Sequence, residues 1–116
     1  MATIDEYRQH IKSPLTARAQ LVWDKRIQAE TIFDAETIFD TEYDHYQLVY
    51  VGWGDSKQVY GTVLHLDISD GNTWVQQDGT EVGIANELVK LGVPKKDIVL
   101  GFNPPKLRHY TDFSVG

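Results

Sequence analysis

The stretch from His45 to Gln77 reads HYQLVYVGWGDSKQVYGTVLHLDISDGNTWVQQ, and its reading decides the fold. His45 to Trp53 is rich in strand formers: Tyr46, Val49, Tyr50, Val51 and Trp53. Gly54-Asp55-Ser56 then supplies a turn. Gln58 to Ile68 is a second strand, and simple alternation puts Tyr60, Leu64, Leu66 and Ile68 mostly on one face. Asp70-Gly71 separates it from Asn72 to Gln77, which carries Trp74 and Val75. Asp-Gly between two strand-like runs is a strong hairpin signal, because a two-residue loop needs positive φ at both positions. Strands joined by such tight turns form an antiparallel sheet.

Upstream lies a small repeat. Ala29-Glu30-Thr31-Ile32-Phe33-Asp34 is followed at once by Ala35-Glu36-Thr37-Ile38-Phe39-Asp40. Two hexamers do not make a solenoid, so a local duplication is the simpler reading. Six is even, so the extra copy keeps strand parity. It either lengthens a strand or bulges out of it. Further upstream, Ile4, Tyr7, Ile11 and Leu15 recur at helical spacing. Pro14 interrupts that stripe, and Ser13 before it could cap a new helix. Because the stripe stays in register, Thr3 to Val22 reads as one helix kinked at Pro14 rather than two abutting ones.

Downstream, Asp78 followed by Glu81 predicts a capping box that opens a helix. Its apolar face would be Ile84, Ala85, Leu88, Val89 and Leu91, with Gly92 and Pro94 ending it. Ile98-Val99-Leu100 is a short buried strand or turn. The tail holds Phe102, Leu107, Tyr110, Phe113 and Val115, too many apolar groups to leave in water. It should fold back and leave its basic side chains outward. The expected fold is α+β: an N-terminal helix, an antiparallel β-meander of three to four strands, a second helix and a short C-terminal strand. Helices should cover one sheet face.

With 116 residues, 41% of them hydrophobic, the chain suits a single domain spanning 1–116 and is too apolar for disorder. No cysteine is present, which excludes a disulfide scaffold, a thiol nucleophile and thiolate-bound zinc. Neither a signal-like N-terminus nor a membrane-length apolar run is seen, so a cytoplasmic protein is expected.

The net charge is −6, which lowers the expectation of direct DNA binding. Between Ile27 and Ser56 there are seven acids and no Lys or Arg, whereas Lys95, Lys96, Lys106 and Arg108 dominate the C-terminal part. Such asymmetry is either two solvated faces or complementarity to a partner or a second copy. Lys95, Lys96, Lys106, Arg108, His109 and Tyr110 are therefore the candidate partner-binding residues.

Catalytic signals are weak. His65 and Asp67 share a face of one strand, which allows an acid–base dyad. Strand neighbours rarely meet head to head, however, and a solvent-facing polar pair is the simpler reading. Asp44-His45 reads as a turn. No metal-ligand spacing occurs, so no metal site, cofactor or catalytic centre is expected, and the chain is read as a non-enzyme. Trp53, Trp74 and the tyrosines could stack nucleobases but are read as core and cross-strand packing, since the hairpin is acidic.

Longer strings carry a resemblance. Ile38-Phe39-Asp40-Thr41-Glu42, Asp44-His45-Tyr46-Gln47-Leu48-Val49 and Val51-Gly52-Trp53 resemble the XisI-like family, named for the fdxN element excision controlling factor of filamentous cyanobacteria. So do Leu64-His65-Leu66-Asp67-Ile68, Trp74-Val75-Gln76-Gln77-Asp78-Gly79-Thr80-Glu81, Gly83-Ile84-Ala85-Asn86-Glu87-Leu88 and Asp97-Ile98-Val99-Leu100-Gly101-Phe102. The doubled hexamer, Tyr43 and Pro14 depart from the pattern. The resemblance implies an accessory role in programmed excision of a DNA element during heterocyst differentiation, beside a separate recombinase and an XisH-like partner. It carries over no catalytic residue. The expected function is regulation through protein–protein binding. The alternatives are direct DNA contact through the basic C-terminal segment and a small-molecule enzyme at His65.

Overall fold

The computed structural model describes residues 3–27, 33–54, 56–81 and 83–116, the side chains of Arg26 and Ile27 excepted. Among them the order is α1 (Ile4–Ile27), β1 (Phe33–Asp40), β2 (His45–Trp53), β3 (Gln58–Ser69), β4 (Asn72–Asp78), α2 (Ile84–Lys90) and β5 (Ile98–Leu100). The strands form one sheet in the order β1-β2-β3-β4-β5. The first four are an antiparallel meander, as expected for an α+β chain. β5 adds in parallel to β4, with α2 as the crossover that parallel neighbours require.

α1 is one helix that ends five residues later than expected, and it runs through Pro14. Its start is a reciprocal cap: the Glu6 amide donates to Thr3 Oγ1 at 3.2 Å and the Thr3 amide to Glu6 Oε1 at 3.4 Å. Interior proline costs about 3 kcal/mol. Burial of Tyr7, Ile11, Leu15, Ala19 and Val22 on both sides of it offsets that cost, so Ser13 caps nothing. Trp23 Nε1 donates to the Ala35 carbonyl at 2.9 Å and ties α1 to β1.

The core lies between α1, α2 and one sheet face. Tyr46, Leu48, Leu64, Leu66 and Val75 meet Ile11, Leu15, Ile84 and Leu88 there. β1 contains the whole second hexamer and the last two residues of the first. How the rest of the first copy is accommodated lies outside the described residues, as does Asp55 of the predicted turn. Adjacent Ile38 and Phe39 do point oppositely: Phe39 packs on the core and Ile38 is exposed. Asp70 and Gly71 have φ of 52° and 78°, the positive pair that the tight hairpin needs.

One reading of β3 fails. Tyr60 does not join Leu64, Leu66 and Ile68, for it is 74% exposed whereas Leu64 is fully buried. Leu48 pairs with Leu64 but Val49 pairs with Thr62, so Val63 is an extra residue. This β-bulge reverses the parity of everything before it.

α2 starts later than expected, at Ile84. Asp78 still caps it from a distance: its Oδ2 accepts from the Ile84 amide at 2.8 Å and its Oδ1 from the Thr80 amide at 2.9 Å. Glu81 is exposed, outside the helix, and does not complete the expected box. At the other end Gly92, at φ 109°, donates to Val89 and Val93 donates to Leu88, both at 3.0 Å. That pair of bonds is a Schellman motif, with buried Val93 packed beneath it. Leu91 is exposed instead of joining the apolar face. Replacing Asp78 by Ala should lower unfolding free energy by about 1 kcal/mol in chemical denaturation. An unchanged midpoint would mean that water satisfies the Ile84 amide equally well.

Candidate functional site

The sheet face away from α1 is uncovered at β2 and β3, buried Val49 excepted, whereas the tail lies over it at β4, where Arg108 sits on Trp74. It carries His45, Gln47, Val49, Val51 and Trp53 from β2, and their partners Asp67, His65, Thr62, Tyr60 and Gln58 from β3. Two features stand out on it, one polar and one apolar.

The polar feature is centred on Asp67. His45 opens β2 directly opposite Asp67, and His65 lies two residues earlier on β3. His45 Nδ1 is 2.8 Å and His65 Nε2 is 2.9 Å from the same oxygen, Asp67 Oδ1. Gln76 Nε2 donates to Asp67 Oδ2 at 3.2 Å. The expected side-by-side polar pair is thus corrected to a three-residue cluster in which His65 and Asp67 do meet. Partial burial pushes the Asp67 carboxyl up, but the bond from His45, the charge of His65 and the Gln76 bond outweigh it and hold it below the ordinary range. His45 is raised, first by its bond to Asp67 and then by the charges of Asp67, Asp40 and Asp44. His45 opens β2, where its strand-forming run begins, and the register that sets it opposite Asp67 is what the sequence reading missed.

Asp44 closes the turn before β2 with φ 58°. Its carboxylate accepts from Arg8 Nε at 2.8 Å, Arg8 Nη2 at 3.2 Å and the Tyr46 hydroxyl at 2.7 Å. It therefore locks α1 to the sheet beside the cluster. On the other side of the molecule Arg18 makes two bonds to Glu87, at 2.9 and 2.5 Å, joining α1 to α2.

The apolar feature is Val51, Trp53 and Tyr60; exposed Ile38 lies apart from it, opposite Gln47 on the β1 edge. Trp53 is 58% and Tyr60 74% exposed, so neither is the core residue expected. Tyr46 is buried, Tyr50 packs on Phe33 at 5.1 Å, and Trp74 is half-buried.

The tail folds back as expected. Ser114 donates to the Ile98 carbonyl at 2.8 Å and bridges Val99 in parallel, and Phe113 packs on the core. Phe102, Leu107, Tyr110 and Val115 nevertheless remain exposed. The six sequence-derived residues sit on two short 3-10 segments, Lys95–Asp97 and Pro105–Tyr110. Lys95 lies 3.8 Å from Asp112, two residues past the second segment. Lys96 and Lys106 are exposed, and His109 stacks on Tyr110 at 4.0 Å. Arg108 departs from the outward expectation: its guanidinium lies over Trp74 at 5.1 Å and Nε donates to the Asn103 carbonyl at 3.2 Å. Stacking and carbonyl acceptors draw it inward.

A cleft of about 570 Å³ is lined by Arg18, Val22, Phe33, Tyr50 and Val63, on the helix side and away from Asp67. Among the described residues no helix is long and apolar enough to cross a membrane.

Comparison with known proteins fits this architecture. A crystal structure of a XisI-like protein from Anabaena variabilis ATCC 29413 is 38% identical, with a TM-score of 0.86, over 98% of this chain and 100% of that one. The fdxN element excision controlling factor XisI of the same organism is 28% identical, with a TM-score of 0.77, over 97% of each chain. No functionally curated protein matches. The XisI protein family profile matches residues 1–115, so the chain belongs to the XisI family.

Proposed function

We propose that this protein is an accessory regulator of DNA-element excision and that it acts by binding another protein, an XisH-like factor, rather than by catalysis. The observation that carries the reading is the apolar patch of Val51, Trp53 and Tyr60 on the uncovered sheet face. Exposed aromatic groups clustered on one face mark protein-binding surfaces, and Trp and Tyr dominate the energy of such contacts. The similarity to a structure bearing the excision-factor name supplies the process. A net charge of −6 favours a protein partner over bare DNA.

Titration of the purified chain against an XisH-like protein tests this, in parallel with element DNA at two salt concentrations. Saturable binding to the protein is expected, weakened about thirtyfold or more by Trp53→Ala with Tyr60→Ala. Lys106→Glu should slow association while leaving thermal unfolding unchanged, since rim charges act on encounter. Binding to DNA alone that fades as salt rises would replace this reading with direct contact through the basic tail. Self-association without partner binding would replace it with a homodimer.

A further inference from the structure

We propose that His45, His65 and Asp67 form a binding site for a first-row divalent cation of borderline softness, with zinc as the reference ion. One ligand atom from each residue lies within 4.8 Å of the other two. Zinc holds imidazole nitrogen and carboxylate oxygen at about 2.0–2.1 Å, so tetrahedral ligand atoms sit about 3.3 Å apart. To admit the ion, the two contacts to Asp67 Oδ1, at 2.8 and 2.9 Å, open by about 0.4 Å, and the two imidazole nitrogens, within 4.8 Å of each other, take up the same tetrahedral spacing. Side-chain rotation supplies that without moving the strands.

The donor set selects the ion. Two imidazoles and one carboxylate suit zinc, iron(II), nickel or copper, whereas magnesium and calcium favour oxygen alone. Three protein ligands leave at least one coordination position, and the site opens to water: the His45 side chain is 54% and the His65 side chain 32% exposed.

The surroundings are those of a supported site. His45 is the direct cross-strand partner of Asp67 and Gln47 that of His65, so the β2–β3 ladder holds all three backbones, while on the β4 side the pairing bulges between His65 and Leu66 and brings Gln76 to the site. Gln76 occupies Asp67 Oδ2 and leaves Oδ1 turned toward the imidazoles. Gly101 makes room for that glutamine, because a Cβ there would lie 2.5 Å from Gln76 Oε1. Asp40 and Asp44 add negative potential at His45.

The test uses the full chain after chelator treatment. Cobalt(II) titration should develop a visible ligand-field band that saturates at one equivalent and is bleached by zinc. In parallel, zinc should shift the imidazole resonances of His45 and His65 and leave those of His10 and His109 in place. His45→Ala with His65→Ala should weaken cobalt binding at least tenfold, and His10→Ala with His109→Ala should not. Absence of saturable binding, retention of binding in the first double variant, or shifts centred on His10 or His109 would each overturn the site. The wild-type resonance shifts decide the matter even where a variant fails to fold.

Discussion

Leu64→Ala is expected to lower unfolding free energy by about 3 kcal/mol, and Tyr60→Ala by less than about 0.5 kcal/mol. The two residues are four apart on β3, and uninterrupted alternation would make them equivalent. They differ because Val63 is inserted between them. Leu64 is fully buried and pairs with Leu48 inside the core, so truncation removes an isopropyl group and leaves a cavity that rigid neighbours cannot collapse. Tyr60 stands on the open face, 74% exposed, and its truncation removes little that water does not replace. Denaturant titration of both variants, at equal slope, measures the difference. Equal losses would show that the strand runs without the bulge and that Tyr60 packs inward.

Asp44→Ala is expected to lower stability by about 2–3 kcal/mol near neutral pH. Two effects add. Buried Tyr46 and half-buried Arg8 lose their common acceptor, which for such groups costs about 1–3 kcal/mol. The backbone at φ 58° also suits Asp or Asn far better than Ala. Asp44→Asn isolates the loss of charge, since it keeps both the backbone preference and an acceptor oxygen. The Arg8 bond lowers the Asp44 carboxyl below its ordinary 3.8, against a smaller opposing push from burial. A lowered folded value means that the ionised carboxylate stabilises the native state fully above the unfolded value. That contribution disappears as pH falls below about 4. The gap between wild type and Asp44→Asn should therefore be widest near neutrality and close on acidification. A gap that persists unchanged at low pH would show that the ionised Asp44–Arg8 contact contributes nothing.

Local chemistry made much of this protein legible. Asp70-Gly71 announces its hairpin because few residue pairs accept two positive φ values. Gly92 and Pro94 announce the end of α2 because its last carbonyls need a left-handed residue to reach new donors. The apolar stripe of α1 is visible at helical spacing, and the meander follows from short turns between strand-forming runs. Each of these signals lies within a few residues of the element it specifies.

At Pro14 the in-register stripe already reads as one helix despite the local penalty, and its burial on both sides keeps it so. Arg108 shows where such signals stop, for a basic tail residue expected outside is held by Trp74, distant in sequence, together with the nearby Asn103 carbonyl. The cluster at Asp67 depends on the bulge itself. Counted from the Trp53–Gln58 pair at the turn, an unbroken ladder places His45 opposite Leu66. Inserting Val63 moves the partner by one residue, to Asp67, and sets two imidazoles around one carboxylate oxygen.

By itself the sequence determined the elements, their order and the tight turns, because propensity and turn chemistry act over short range. The tertiary structure alone decided the register beyond Val63, and with it which face Tyr60 takes and whether His45 meets Asp67. The physical reason is that a bulge is chosen by packing on both sheet faces at once. Shifting β3 by one residue keeps Leu64, Leu66 and Ile68 under α1 and α2 and turns Tyr60 outward, a balance that no single strand contains.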